Sequence, residues 1–401
     1  MHFTRLGGEA GGGEMKIVIA SDSFKGSLSA WQVGTIAQRA IQKVLPEAAV
    51  EIVPMADGGE GTMETIVQAA SGGRIDVPVT GPLGEVAATR YGVLRPHTNV
   101  SDARAEVDVS NTAIIEVANI AGLTMVPENL RNPEQTTTYG VGEVMLHALN
   151  QGCRKFIVGL GGSATNDGGI GLLQALGAVF RDASGNPVPP VGAALLTVAS
   201  VELDTIDPRV WDCDIRVASD VHNPLCGDAG SSVVFGPQKG ATPEQVKRLD
   251  AGLVNYAARI EAVTGKPLQN TPGAGAAGGL GFAFLLLNAE LVPGAKLVGD
   301  AVGLEEKVRG ADFVLTGEGQ SDFQTLFGKV PYYVAQVAAK HGAKAILVSG
   351  GLGRGVDSLY DHFVSLHSIV TRPMTLTEAM EDAETQLFFT VENIARLLKV
   401  R

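Results

Sequence analysis

Short apolar runs that empty into glycine-rich, polar turns recur at both ends of this chain, and they constrain its fold more than any other feature. "KIVIASDS" (16–23), "ADFVLTGEG" (311–319) and "KAILVSGGLG" (344–353) are of this kind. Such blocks do not alternate with polar residues, which suits strands covered on both faces in a parallel sheet. Helical spacing fills the intervals. Val33, Ile36, Ala37, Ala40, Ile41 and Val44 mark one helix face, which Pro46 ends, and "PYYVAQVAAKHG" supplies another. "AVEIVPM" (49–55), a loop "ADGGEG" and the helix "TMETIVQAA" continue a β-α-β-α order with short links.

The middle of the chain has a different texture. "RIDVPVT" and "EVAATRYGVL" alternate around "GPLG" as an antiparallel hairpin. "TAIIEVANIAG", the helix "TTTYGVGEVMLHALNQG", a strand at Phe156–Val158, the strand "IRVASDV" (215–221) and the helix "PEQVKRLDAGLVNYAARIEAV" follow. The expectation is an α/β protein with a Rossmann-like parallel-sheet domain formed by both chain ends, residues 15–74 and 286–401. A second α/β domain containing mixed sheet, residues 75–285, is inserted into it. A length of 401 residues agrees with two domains. Residues 1–14 lack the apolar core of a signal peptide and read as an extension outside the fold, ahead of Met15. "TLTEAMEDAETQLFFTVENIARLLKV" is expected to close the chain as one long helix, with its aromatics, Trp31 and Trp211 in the core.

Composition removes several functions. The net charge of −12 argues against nucleic acid as a partner. No apolar run is long enough to span a membrane. Three scattered cysteines without a Cys-x-x-Cys indicate neither a zinc site nor disulfides, and point to the cytoplasm.

Polar residues collect just after the strands: Asp22, Ser23 and Lys25; Asp57, Glu60 and Thr62; Ser163 to Asp167; Ser219 to Asn223; Thr316 to Asp322. Ligands of open α/β sheets bind beyond those carboxyl ends. "FIVGLGGSATNDGGIG" (156–171) reads either as a loop that cradles a polyphosphate and its metal or as a tight strand-to-helix turn. No G-x-x-x-x-G-K-[ST] occurs, which excludes the usual P-loop. "GAGAAG" (273–278) matches G-x-G-x-x-G but follows "LQNTP" instead of a strand, so a dinucleotide fingerprint fails on context. Its glycines, with the apolar run behind them, suit a phosphate at a helix N-terminus or close helix packing. Asp57, Asp167, Asp220, Glu318 and Asp322 lie in glycine-flanked loops. Singly each suits a cap or Asx-turn. Together they suit Mg²⁺ and a phosphoryl-transfer site, with Lys25 and Lys329 as phosphate contacts. His222 reads as a structural hydrogen-bonder.

"DSFKGSLSA", "PMADGGEGT", "GLGGSATNDGG", "SDVHNPLCG" followed by "FGPQKGA", "PGAGAAGGLG" and "TGEGQSDFQTLFGK" resemble, in this order, the motifs of the bacterial glycerate kinase family. The resemblance covers Met15 to Arg401. It implies ATP-dependent phosphorylation of D-glycerate with Mg²⁺ by two α/β domains, one of them Rossmann-like and formed by both chain ends. Asp167, Asp220, Glu318 and Lys25 are the catalytic candidates. Asp22, Ser23, Asp57, Gly58, Gly59, Glu60, Gly162, Ser163, Thr165, Asn166, Asn223, Gly275, Gly278, Gly279 and Lys329 are the candidates for binding substrate and nucleotide. Asp167 and Asp322 are the metal candidates, and D167N is expected to cut turnover while leaving the melting temperature unchanged.

One segment departs from the family, which often has a hydrophobic residue and then Asp-Ala-Gln after Gly-Glu-Gly-x. Here Ser321 and Phe323 flank Asp322, with Glu318, Gln324 and Thr325 in place. Similarity to enzymes of sugar-acid and glyoxylate breakdown points to the C2 hydroxyl and 2-phosphoglycerate. A 3-kinase is the alternative, then a different small-molecule kinase, which "GLGGSA" faintly resembles, or a non-catalytic binder of small phosphorylated acids. Monomer and homodimer both stay open.

Overall fold

The computed structural model describes residues 14–95 and 111–400, so the expected N-terminal extension lies outside the described residues apart from Glu14. The chain divides into two compact units. One joins the segment ending at Pro54 to the segment beginning at Gly303; the other is Met55–Val302.

The first unit carries a parallel sheet in the order Ser365–Ser368, Lys344–Ser349, Phe313–Thr316, Lys16–Ile19, Ala49–Ile52. Strands from the two chain ends are therefore neighbours at its centre. The helix Ala30–Val44 starts on a capping box of Ser29 and Gln32 and buries Val33, Ile36, Ala37, Ala40, Ile41 and Val44, the face that the spacing predicts. Those residues pack on Ile17, Ile19, Phe313, Leu387, Val391 and Ile394. Each large aliphatic side chain removed from water there stabilises the fold by roughly 1.5–3 kcal/mol.

The expected long C-terminal helix is broken at Asp382 into Leu376–Glu381 and Ala383–Leu398. The first piece buries none of its residues and begins on its own Thr375–Glu378 capping box. The second keeps Leu387, Val391 and Ile394 on the core. Trp31 and Trp211 are 42% and 37% exposed and Phe389 is 55% exposed, which corrects their placement in the core. Trp31 lies on its helix away from the buried face, where nothing apolar covers it fully.

The second unit has a mixed sheet in the order Glu290–Val292, Asp214–Ala218, Cys153–Gly159, Asn111–Glu116, Val86–Leu94, Gly73–Thr80. The first four strands are parallel, and the hairpin adds two antiparallel strands at the edge. The division falls at 54/55 and 302/303, where the sequence suggests 74/75 and 285/286. Three elements move with it, the helix Thr62–Ala69, the strand Glu290–Val292 and the helix Gly294–Ala301. The first helix packs on the strands Val86–Leu94 and Asn111–Glu116, the edge strand pairs with Asp214–Ala218 and the second helix packs on that same strand, so their partners decide their unit. No helix among the described residues is long and apolar enough to cross a membrane.

Candidate active site

Each unit gathers polar loops at the carboxyl ends of its own strands. In the first unit the chain order switches direction between the adjacent strands Lys16–Ile19 and Phe313–Thr316, the position where open α/β sheets form their ligand crevice. The loops beyond them are laced together. Asp22 N donates to Gly317 O (2.9 Å), and Ser21 Oγ donates to the same carbonyl (3.0 Å). Gly317 has to be glycine, because a Cβ there would lie 1.7 Å from Val348 O. Gly350 N and Gly351 N donate to Glu318 O and Gly319 O, which adds the loop after Lys344–Ser349.

Glu318, only 8% exposed, is the hub of this group. Its Oε1 accepts from Ser321 Oγ (3.0 Å) and Thr325 Oγ1 (2.7 Å), and its Oε2 accepts from Lys329 Nζ (3.0 Å). Lys329 keeps over a third of its side chain in solvent. Asp322 caps the short turn Phe323–Leu326 by accepting from Gln324 N (2.8 Å). That engages its Oδ1 in the cap. Asp22 is buried with Oδ1 on Ser23 N (2.6 Å), and Lys25 is exposed on the following turn.

In the second unit glycine lets several loops touch backbone to backbone. A Cβ at Gly159 would meet Gly58 O at 2.6 Å, one at Gly161 would meet Gly59 Cα at 2.8 Å, and one at Gly294 would meet Asp57 O at 1.8 Å. Asp57 Oδ1 accepts from Gly59 N (2.9 Å) and Asp220 Oδ1 from Gly294 N (3.0 Å). The Asp220 carboxyl is pushed above its usual range, chiefly by burial against that backbone; Gly294 N–H opposes the shift and the nearby Asp57 charge adds to it. Glu60 and His222 are exposed.

Asp167 is placed differently from its sequence reading. It has no exposed surface, and Oδ2 accepts from Thr138 N (2.9 Å) and Thr138 Oγ1 (2.7 Å) while Oδ1 accepts from Gly169 N (3.1 Å). Burial raises its pKa against the pull of those donors. The carboxylate is thus an internal anchor of the loop, and no face of it is open to a metal or a hydroxyl. Asn166 is likewise turned inward, its Nδ2 on Ser232 Oγ (2.8 Å), and Asn223 Nδ2 ties to Ala229 O (2.8 Å).

The glycines at 275, 278 and 279 act in packing. A Cβ at Gly275 would meet Pro224 O at 2.3 Å and one at Gly278 would meet Thr165 O at 1.9 Å, while Gly168 N donates to Gly278 O (2.9 Å). Ala277, Gly278 and Gly279 have φ of 51°, 74° and 92°, so no regular helix N-terminus stands at the glycines. Gly162, also at positive φ (74°), is the exposed crest of the loop, with the mostly buried Ser163 beside it.

Three polar residues escape the sequence reading. Glu116, 2% exposed at the end of its strand, accepts from Gly61 N (2.9 Å) and Met63 N (3.2 Å) and so caps the helix Thr62–Ala69. Burial raises its pKa, with the two N–H groups opposing. Thr138 holds Asp167. Lys239, 3% exposed, donates to Ser163 Oγ (2.9 Å) and Thr165 O (2.6 Å). Burial pushes its amine down to about 7, with the Asp167 charge opposing. An acid ending an apolar strand run was the available signal for Glu116; for Lys239 it was the lysine inside "FGPQKGA".

Several hydroxyls at these loops are buried without a hydrogen-bond partner: Thr62, Thr165 and Ser219 in the second unit and Thr316 in the first. An orphaned hydroxyl costs about 1–3 kcal/mol, which a ligand oxygen would recover. No cluster of three or more His, Cys, Asp or Glu side chains suited to a metal occurs among the described residues.

The chain is similar to known proteins along nearly its whole length. The model of the glycerate kinase family matches residues 17–399. A glycerate kinase of Halalkalibacterium halodurans is 42% identical over 381 residues, 94% of this chain and 97% of that protein. A glycerate 2-kinase of Escherichia coli is 42% identical over 388 residues, covering 96% of this chain and 98% of its own. A crystal structure of a candidate glycerate kinase 2 from Salmonella typhimurium LT2 superposes with a TM-score of 0.85 at 42% identity, over 97% of this chain and 99% of that one.

Proposed function

This chain belongs to the glycerate kinase family, and from that premise we propose that it transfers the γ-phosphoryl group of ATP to the C2 hydroxyl of D-glycerate, giving 2-phosphoglycerate and ADP. The observation that carries the reading is the extent of the match. Relatives named as glycerate kinases, one of them a glycerate 2-kinase, align along both units rather than along a shared nucleotide fold alone.

Phosphoryl transfer passes through a loose transition state, so catalysis is mainly positioning and neutralisation of charge. In the first unit Lys329 supplies positive charge, and Glu318 fixes its ammonium while leaving two further N–H groups for phosphate oxygens. Lys25, on the adjoining turn, is the second cation we assign to an anionic ligand. In the second unit Asp57 and Asp220 are the oxygen donors that fit Mg²⁺, which needs only one or two carboxylates besides phosphate and water. Bound there, Mg²⁺ would neutralise phosphate charge. The orphaned hydroxyls of Thr62, Ser219 and Thr316 offer donors that a substrate carboxylate or phosphate would satisfy. No early proton removal is required of any carboxylate in such a transition state, so no general base is assigned.

The test is a coupled assay with ATP, Mg²⁺ and D-glycerate, using enolase and pyruvate kinase with and without phosphoglycerate mutase. Signal without the mutase is the expected result. Signal only with the mutase makes the product 3-phosphoglycerate. ADP release that ignores glycerate overturns the substrate assignment.

A further inference from the structure

Lys239 is the most completely buried cation near the candidate loops, and nothing in the reaction outlined above uses it. It ends the short turn Pro237–Lys239. The next residue, Gly240, has φ of 93°, and a Cβ there would meet Arg131 O at 2.5 Å, so the backbone that presents the lysine is pinned. Its Nζ reaches the inner side of the loop at residues 161–165, on Ser163 Oγ and Thr165 O. The other side of the same loop is held by Leu123 N on Gly162 O and Ala164 N on Ala121 O, both 2.8 Å. A short exposed crest is therefore clamped from both sides.

A neutral side chain would hold the loop at far less cost, because taking a lysine out of water is expensive even when it is hydrogen-bonded. What a lysine adds is direction. A serine hydroxyl that accepts from Nζ–H has its own proton left to donate elsewhere, and accepting polarises it into a stronger donor. Ser163 Oγ is 2.9 Å from Nζ, and the residue, 7% exposed, directly follows the exposed Gly162. We propose that Lys239 is a positioning residue that fixes Ser163 as an outward hydroxyl donor to an anionic oxygen, carboxylate or phosphate, of one of the substrates. The proposal rests on the kinase reading above for what the ligand is, though the geometry of the clamp does not depend on it.

The experiment compares wild type, K239M, S163A and the double variant by steady-state kinetics and melting temperature. Methionine matches the lysine stem and removes the buried charge, but Ser163 Oγ and Thr165 O lose their buried donor, a cost of about 1–3 kcal/mol. Expected are a K239M that still folds and melts cooperatively, and a KM for D-glycerate or ATP raised about tenfold in both single variants. Turnover at saturation should stay within about threefold, because the lost contact aids binding more than chemistry. The double variant should be no more than about threefold weaker than K239M, since both act through one hydroxyl.

An unchanged KM in folded K239M overturns the proposal, as do losses that multiply fully in the double variant. Should K239M fail to fold, S163A decides alone: a raised KM at normal melting temperature upholds the clamp, and an unchanged KM overturns it. Wild type that forms no ADP with glycerate counts against the kinase reading instead. The same variants are then titrated calorimetrically with ATP and with D-glycerate, where a tenfold weaker Kd for either upholds the inference and unchanged values for both overturn it.

Discussion

The loop after Phe313–Thr316 in the first unit and the loop after Cys153–Gly159 in the second are built from the same residue types, yet they use their charges in opposite ways. Both set an acid and hydroxyls among glycines, and each meets a lysine, Lys329 from the same segment in the first and Lys239 from the distant turn Pro237–Lys239 in the second. In the first, Glu318 and Lys329 meet directly at 3.0 Å and the lysine reaches solvent. In the second, Asp167 and Lys239 are both sealed from water, and each is satisfied by neutral partners. The first arrangement offers charge to a ligand. The second spends its charge on the shape of a loop whose exposed residue is Gly162, with the mostly buried Ser163 beside it. Residue type in a glycine-rich loop is therefore a poor guide to role, and which way the side chain faces decides it.

The largest effect expected from this contrast is at Glu318. Glutamine there removes the charge partner of Lys329 and turns an amide N–H₂ toward one of three donors, so the lysine and the 321–325 turn lose their fixed places. E318Q should lower kcat by about a hundredfold, equivalent to about 2.7 kcal/mol. Full turnover at normal melting temperature would break the comparison on the first unit's side, leaving Glu318 a packing residue. D167N should do the reverse. An asparagine N–H₂ would face a donor in a site with no exposure, costing about 3 kcal/mol. The melting temperature should fall by roughly 6–10 °C, with residual turnover in proportion to folded protein. A D167N protein that melts normally yet turns over hundreds of times more slowly would return Asp167 to catalysis, which is what the sequence alone suggests.

Much of the framework was legible because strand and helix patterning is local. "KIVIASDS", "ADFVLTGEG" and "KAILVSGGLG" do form adjacent parallel strands, and Val33 to Val44 does face their core. The alternation around "GPLG" gives the hairpin. The placement of polar loops at the carboxyl ends of each unit's strands was also legible, since it follows from sheet polarity once the strands are parallel. Direction and partnership were not. Whether Asp167 faces out or in depends on Thr138, and whether Ser163 is held depends on Lys239, both distant in sequence and brought near only by tertiary packing. The glycines of "GAGAAG" look like a phosphate loop because close backbone approach demands glycine whether the neighbour is a ligand or, as here, Thr165 O. The boundary residues misled for the same reason. The helix Thr62–Ala69 has a helical pattern that says nothing of which sheet it covers.

Glu116 refines the contrast from within the second unit, because it is a buried acid that caps a helix, with no cation on it and the like charges of Glu60 and Glu64 nearby adding to the cost of its ionised form. Its carboxylate takes Gly61 N and Met63 N at the start of a helix, which favours the ionised form, yet burial wins and the pKa stands above the usual 4.5. A raised acid keeps its proton in the folded state at pH values where the unfolded chain has lost it. Its contribution to stability is therefore complete below about 4.5 and declines as pH climbs through the raised folded value, beyond which it is flat. E116Q cannot titrate and keeps only one acceptor for two donors, a loss of about 1 kcal/mol. Measured from pH 4 to 8, the melting temperature of E116Q should sit below wild type at acid pH and close part of that gap as pH rises. A gap that widens with pH instead would show that the two helix N–H groups outweigh burial. Glu116 would then resemble Glu318, an acid held in its ionised form by its donors.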